Sequence, residues 1–216
     1  MLVKDAMTTN VVTIPSSTPV LEAKKLMDVH KVERLPVVDK GKLVGIVTKG
    51  GIERASPSAA TSLSIWEINY LVAKMTVKEV MRKDLVTVAP DTTVESAVAS
   101  AQKHAVGALP VMEEDKLVGI LTTNDFFYKI LNPLLGIGES GKRFIVYGAD
   151  TPEQICKVME TVKAQKLKIK ATHTIAVPEA ASKDLIIHLD TEDTSKLEEE
   201  LKKLGFHVES REHTPL

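Results

Sequence analysis

Apolar and polar positions along the first 130 residues run through one pattern twice. A β-type run, Val11-Val12-Thr13-Ile14, stops at Pro15. Thr18-Pro19 then opens a helix, with a hydroxyl to cap it and a proline at its first position. Val20, Ala23, Leu26 and Met27 give that helix an apolar stripe. Two further apolar runs, Leu35 to Val38 and Leu43 to Val47, are parted by Asp39-Lys40-Gly41-Lys42, which predicts a hairpin. A second helix follows. The same signals return at Val86 to Val88, Val94 to His104, Leu109 to Met112 and Leu117 to Leu121, with Glu113-Glu114-Asp115 as a charged turn that lacks the glycine.

The recurrence is in register: residue n corresponds to residue n+74 without a gap. Val3-Lys4 returns as Val77-Lys78, Met7 as Met81 and His30 as His104. Leu35-Pro36-Val37 returns as Leu109-Pro110-Val111, and Lys42-Leu43-Val44-Gly45-Ile46 as Lys116-Leu117-Val118-Gly119-Ile120. A unit this small buries too little surface alone, so two copies are expected to pack face to face around a shared core. Function is then sought in the cleft between them, and especially where the copies differ.

The periods change elsewhere. Ser56-Pro57-Ser58-Ala59-Ala60-Thr61-Ser62-Leu63 reads as a polar turn, followed by a connector helix with Ile65, Ile68, Leu71 and Val72 on its apolar positions. Trp66 and Tyr70 on that helix are expected to pack across the seam between copies, the alternative being an exposed docking surface. Gly136-Ile137-Gly138-Glu139-Ser140-Gly141 lacks the Lys-Ser/Thr ending of a P-loop and reads as a flexible domain boundary. Beyond it, Phe144 to Val146, Thr151-Pro152 to about Gln165, Lys168 to Ala176, Leu185 to Leu189, Ser195 to Leu204 and Phe206 to Val208 predict strand, helix, strand, strand, helix, strand. That is the ferredoxin-like order. The expected organisation is an α+β chain with a first repeat at 1–55, a connector at 56–76, a second repeat at 77–135, a linker at 136–142 and a small α+β domain at 143–216.

Composition narrows the function classes. Of the 216 residues, 44% are hydrophobic and 26% charged, and the net charge is −1, so there is no overall basic field for nucleic acid or an anionic membrane. The lone Cys156 forms no internal disulfide and suits a reducing cytoplasm, which is the expected location. No Gly-x-Ser-x-Gly, His-Glu-x-x-His or complete P-loop occurs. His173, His188, His207 and His213 have no metal-ligand spacing and read as polar strand positions. His30 and His104, at matching helix ends, read as caps of the last carbonyls, with a ligand phosphate as the alternative.

The Leu-Pro-Val-Val hairpin and the Gly-Ile-Val/Leu-Thr run resemble a tandem pair of CBS (cystathionine β-synthase) domains. The element order after Gly141 resembles an ACT regulatory domain, and the combination is similar to the acetoin-utilisation protein B family. The resemblance implies a cleft for an adenosyl ligand, AMP, ADP, ATP or S-adenosylmethionine, that serves regulation rather than chemistry. The family signature Gly-hydrophobic-x-Thr/Ser-x-x-Asp is complete in the second copy as Gly119-Ile120-Leu121-Thr122-Thr123-Asn124-Asp125. By that resemblance Asp125 takes the ribose hydroxyls and Thr122 reaches the phosphate. Adenine lies against Gly107-Ala108-Leu109-Pro110, with the backbone of Thr87-Val88 reading its edge. The competing account makes Thr122 or Asp125 a helix cap. In the first copy Gly51 stands where Asp125 stands, and Arg34 replaces Ala108. A weaker second site at Ile14, Arg34, Leu35, Pro36 and Thr48 is therefore expected, with Arg34 and Lys49 as an alternative source of charge for a polyphosphate. The ACT resemblance departs at Ala149-Asp150-Thr151-Pro152-Glu153, where Glu153 follows the proline in place of glycine, which makes assembly at least as good a role as amino-acid binding.

The chain is thus expected to be a non-enzymatic sensor, dimeric by default, that modulates a partner enzyme. The alternatives are a structural adaptor with a vestigial cleft, docking through Trp66 and the ACT-like domain, and a nucleotide hydrolase.

Overall fold

The computed structural model describes residues 1–55 and 64–212. The polar turn expected at 56–63 and His213 lie outside the described residues. The chain divides into two compact units, residues 1–126 and 127–216.

In the first unit the repeat is structural. The first copy contains α1 (Val3–Ala6), α2 (Val20–His30), β1 (Arg34–Asp39), β2 (Lys42–Thr48) and α3 (Lys49–Ala55). The helix α4 (Ile65–Lys74) follows. The second copy contains α5 (Val77–Val80), α6 (Val94–Lys103), β3 (Ala108–Glu113), β4 (Lys116–Thr122) and α7 (Thr123–Asp125), after which a π-helix over Phe126–Leu131 runs on into the second unit's residues. Each hairpin is an antiparallel pair with the same bulge, between Val37 and Val38 in one copy and between Val111 and Met112 in the other. The core of the first copy joins Ile14, Val20, Ala23, Met27, Leu35, Val37, Val47 and Ile52 to Val77 from the second copy.

Four sequence expectations change here. Val11 to Ile14 is not a strand: Ile14 makes a single parallel bridge to Val37, and Val88 does the same to Val111. Pro15 supplies no N–H for a following rung, which ends the pairing in the first copy. Thr18 does not cap α2. Pro19 takes the cap position and the Thr18 carbonyl instead accepts from the amide of Val77 at 2.8 Å. The short helices α1 and α5 are too brief to show a period and were not predicted. Trp66 and Tyr70 are 83% and 59% exposed and do not pack in a seam.

The second unit contains α8 (Asn132–Leu135), β5 (Lys142–Val146), α9 (Pro152–Ala164), β6 (Ile169–Ala176), β7 (Lys183–Leu189), α10 (Ser195–Lys203) and β8 (Val208–Glu212). Its four antiparallel strands lie in the order β6-β7-β5-β8, and the elements follow one another along the chain as the sequence predicts. Phe144, Val146, Leu185, Ile187 and Leu189 alternate onto one face, where they pack with Val158 and Val162 of α9 and Leu197 and Leu201 of α10. The glycine-rich stretch is built into this unit rather than left as a free linker. Gly136 and Gly141 are buried against β7, the Ser140 carbonyl lies 3.1 Å from Nε2 of His188, and Lys170 donates to that carbonyl at 2.7 Å. Arg143 donates to the Leu135 carbonyl at 2.5 Å, tying α8 to the sheet.

Candidate functional site

The two copies exchange their leading arms. The amides and carbonyls of Thr8 and Ile120 bond reciprocally at 2.9 and 3.0 Å, and those of Arg82 and Ile46 do the same at 2.9 and 3.0 Å. Val3 donates to the Thr92 carbonyl and Val77 to that of Thr18, each at 2.8 Å. The arm of one copy thus lies on the hairpin of the other. Met7 fits over Gly119 and Met81 over Gly45; a Cβ on either glycine would stand within 2.4–2.5 Å of the facing sulfur. These glycines are there because nothing larger fits beneath the thioether.

This exchange decides what faces the cleft. A cavity of about 700 Å³ lies between the copies, within the usual size of a small-molecule site. The first copy lines it with Arg34, Thr48, Lys49, Gly51 and Arg54, and the second with Val86, Gly107, Ala108 and Pro110. The sequence-predicted residues are therefore regrouped. Gly107, Ala108 and Pro110 face Thr48 and Arg34 of the other copy rather than sharing one site with Thr122 and Asp125. The reason is that the segment 82–86 follows β2 of the first copy and carries the second copy's wall with it.

Period-two alternation settles which strand residues line the cavity. Ala108 and Pro110 reach it, while Leu109 between them is buried in the core, as are Leu35 and Ile14. Pro36 is buried and its carbonyl accepts from Ile14 at 3.2 Å. Thr87 points to solvent and Val88 is occupied with Val111; the earlier residues Leu85 and Val86 line the wall in their place. Sequence reasoning missed Arg54, Arg82, Leu85 and Val86. The signal that could have found them is the register itself, once each arm is assigned to the opposite copy.

Asp125 is 7% exposed and works within the fold. Its Oδ2 accepts from the Thr122 amide at 2.9 Å and the Thr122 hydroxyl at 2.6 Å, the reciprocal half of a capping box. Its Oδ1 accepts from the Thr8 hydroxyl at 2.9 Å, so this carboxylate also pins the arm of the first copy. In the first copy only half of the device remains: the Thr48 hydroxyl accepts from the Gly51 amide at 3.0 Å, and no carboxylate answers it.

The charges lining the cavity are sorted. Lys49 bonds to Asp28 at 2.9 Å, which, with Glu53 and Glu33 nearby, holds its ammonium above the ordinary lysine range. Arg82 lies 4.0 Å from Asp84. The Arg34 guanidinium crosses from its own copy to Gly107, where a Cβ would come within 2.6 Å of Nη2. His104 sits at the end of α6 with Nδ1 2.8 Å from the Ser100 carbonyl, in the capping position. Among the described residues, no group of three or more His, Cys, Asp or Glu side chains is placed to hold a metal ion. None of the described helices is long and apolar enough to cross a membrane.

A duplicated hairpin unit with exchanged arms and a ligand-sized cleft matches the CBS domain at residues 3–58 and 77–132. The chain belongs to the CBS domain family. Among curated relatives, an inosine-5′-monophosphate dehydrogenase of Korarchaeum cryptofilum is 31% identical over 62% of this chain and 25% of its own length. The CBS domain-containing protein YhcV of Bacillus subtilis is 32% identical over 57% of this chain and 81% of its own length. The chain thus spans about a quarter of the enzyme and most of the smaller protein. Among solved structures, a Vibrio cholerae protein assigned to acetoin utilization (AcuB) shares 32% identity with a TM-score of 0.52, over 61% of this chain and 91% of that one. Another CBS domain pair, 29% identical over 61% of this chain with a TM-score of 0.49, was solved in complex with 5′-methylthioadenosine and S-adenosyl-L-methionine.

Proposed function

We propose that this protein is a non-enzymatic regulatory sensor that binds an adenosyl ligand in the CBS-pair cleft and modulates a partner enzyme by conformational change. The observation that carries the reading is the mixed ownership of the cavity. An occupant touching Thr48 and Arg34 on one side and Val86, Gly107 and Ala108 on the other holds both copies at once. Such an occupant biases the relation between copies by its differential affinity for the two arrangements, and by no more. The C-terminal unit is read as an ACT-type module for assembly, a reading supported by its sheet order.

Calorimetric titration of the purified protein with AMP, ADP, ATP and S-adenosylmethionine tests the sensor. The expected result is one saturable event per chain, lost when Gly107→Leu fills the cavity. Two events would place a second ligand at the Asp125 end of the cleft. No event, in folded protein free of carried-over ligand, turns the reading to the adaptor. That second reading has its own observation in α4, where Trp66, Tyr70 and Leu71 stand exposed beside one another.

A further inference from the structure

The two halves of the CBS pair are related by the 74-residue register, so each cavity residue has a counterpart against which its chemistry can be compared. Two departures stand out, and both move charge in the same direction. At the start of the helix after the second hairpin strand, the second copy has Asp125 and the first has Gly51, which removes a negative charge from the cavity. At the first residue of the leading hairpin strand, the second copy has Ala108 and the first has Arg34, which adds a positive one.

The lining as a whole carries four cationic side chains, Arg34, Lys49, Arg54 and Arg82, against three carboxylates, Glu33, Glu53 and Asp84, so the excess is positive by one. Lys49 is taken by Asp28 at 2.9 Å, with Glu33 and Glu53 acting on the same ammonium. Arg82 has Asp84. Among the described residues Arg34 and Arg54 form no ion pair, and both line the cavity. Arg34 is half-buried and Arg54 exposed. Arg34 lies against Gly107 of the other copy, and Arg54 folds back over Gly50, with Nη1 3.4 Å from where a Cβ there would stand. An arginine fork held in place and lacking a carboxylate is suited to two-point binding of phosphate oxygens.

We infer that the cavity selects a nucleoside di- or triphosphate over an uncharged or sulfonium-bearing adenosyl compound, and that Arg34, reaching across the cleft, is the residue that sets this specificity. The inference rests on the sensor reading above and narrows its ligand class. The ribose is held without the carboxylate that position 125 offers in the second copy, and the phosphate chain supplies the affinity. Because Arg34 belongs to one copy and rests on the other, drawing its guanidinium onto a phosphate changes the contact between copies directly.

Calorimetry on the full chain with adenosine, AMP, ATP and S-adenosylmethionine tests this, on wild type, Arg34→Met and Gly51→Asp. ATP is expected to bind at least about tenfold tighter than adenosine or S-adenosylmethionine, the margin of one charge-assisted hydrogen bond. Arg34→Met is expected to cost ATP about ten- to a hundredfold and to cost adenosine much less. Gly51→Asp rebuilds the second copy's device in the first. A Cβ at Gly51 would stand 2.9 Å from the Thr48 hydroxyl, which must therefore give; in the second copy the corresponding hydroxyl stands 3.3 Å from the Asp125 amide, against 3.0 Å from Thr48 to that of Gly51. This variant is expected to weaken ATP and strengthen adenosine, and it decides the matter if Arg34→Met fails to fold. Equal affinity for ATP and adenosine, or for ATP and S-adenosylmethionine, overturns the inference and leaves the sensor standing. So does an ATP affinity indifferent to Arg34. Failure of all four compounds to bind overturns the sensor as well.

Discussion

Gly119→Ala is the sharpest single test of the exchanged arms. The added methyl would stand 2.4 Å from Sδ of Met7, 3.0 Å from its Cγ and 3.2 Å from the Thr8 carbonyl oxygen. Comfortable contact between carbon atoms is about 3.5–4.0 Å, so the overlap with sulfur exceeds about 1 Å. The Thr8 carbonyl cannot retreat without losing its bond from the Ile120 amide at 3.0 Å, which leaves Met7 to move. Overpacking of this kind costs about 1–3 kcal/mol. Met7→Ala alone gives up part of the 2–5 kcal/mol of a fully buried methionine, about 1–2 kcal/mol for this half-buried one. Combined, the methyl occupies the space the thioether leaves, so the double variant is expected to be about 1–2 kcal/mol more stable than the sum of the singles. Urea unfolding gives the three free energies, and hydrogen exchange at the Thr8 and Ile120 amides shows whether the loss sits at the arm. Additivity within about 0.5 kcal/mol, with both amides still protected, would refute the arm-on-hairpin packing. Gly45→Ala with Met81→Ala is the mirror experiment at 2.5 Å.

Asp125→Ala removes a cap and a buried charge-assisted bond to Thr8, and is expected to cost about 2–4 kcal/mol in urea unfolding with faster exchange across residues 1–10. Trp66→Ala, at a side chain 83% exposed, is expected to leave unfolding within about 0.5 kcal/mol of wild type; a larger loss would mean that α4 is packed. In the second unit, burial and then the Arg143 charge hold the His173 imidazole below the ordinary histidine value of 6.5. The unfolded chain binds that proton more readily, so the stabilisation is complete above about pH 6.5 and declines as pH falls through the lower folded value. His173→Gln is expected to flatten the melting temperature between pH 7 and pH 5 (about the range of histidine titration), and an unchanged slope would sink that account. Lys170, whose side chain is 15% exposed, bonds to Asp190 at 3.0 Å and pulls that carboxyl below its ordinary range. Stability from the pair is therefore present above the unfolded aspartate value and fades as acid passes the lower folded one, so Lys170→Met is expected to reduce the acid sensitivity of unfolding.

How much was legible in the sequence follows from which interactions are local. The hairpins, α6, α9 and α10 were readable because their stripes, turns and caps lie within a dozen residues. The Thr151 hydroxyl accepts from Gln154 as its position implies, and Lys202 meets Glu198 at 2.6 Å. The succession of strands and helices in the second unit was readable because its apolar periods change from segment to segment. What failed was non-local. Nothing in Thr8 announces that it faces Asp125, 117 residues away, and nothing in Val86 says that it lines one cavity with Thr48. Treating each copy as a closed unit placed the adenine wall and the ribose carboxylate together, whereas exchanged arms divide them. The seam expected at Trp66 failed for a related reason. An apolar side chain states a preference for burial, and only the surrounding fold determines whether a partner is in reach.

The exchanged arms also mean that a single repeat is not a self-sufficient polypeptide. Cut after residue 55, the first repeat keeps an arm, Met1 to Asn10, whose receptor is gone, and a receptor along Ile46 whose arm, Arg82 and its neighbours, is gone. Two such fragments would each hold what the other lacks, and would close into a symmetric pair by lending arms to one another. Present-day covalent linkage through α4 makes that mutual loan permanent and removes its dependence on concentration. It also frees the two halves to diverge: a homodimer must change both sites at once, whereas this chain keeps an aspartate at position 125 and a glycine at position 51.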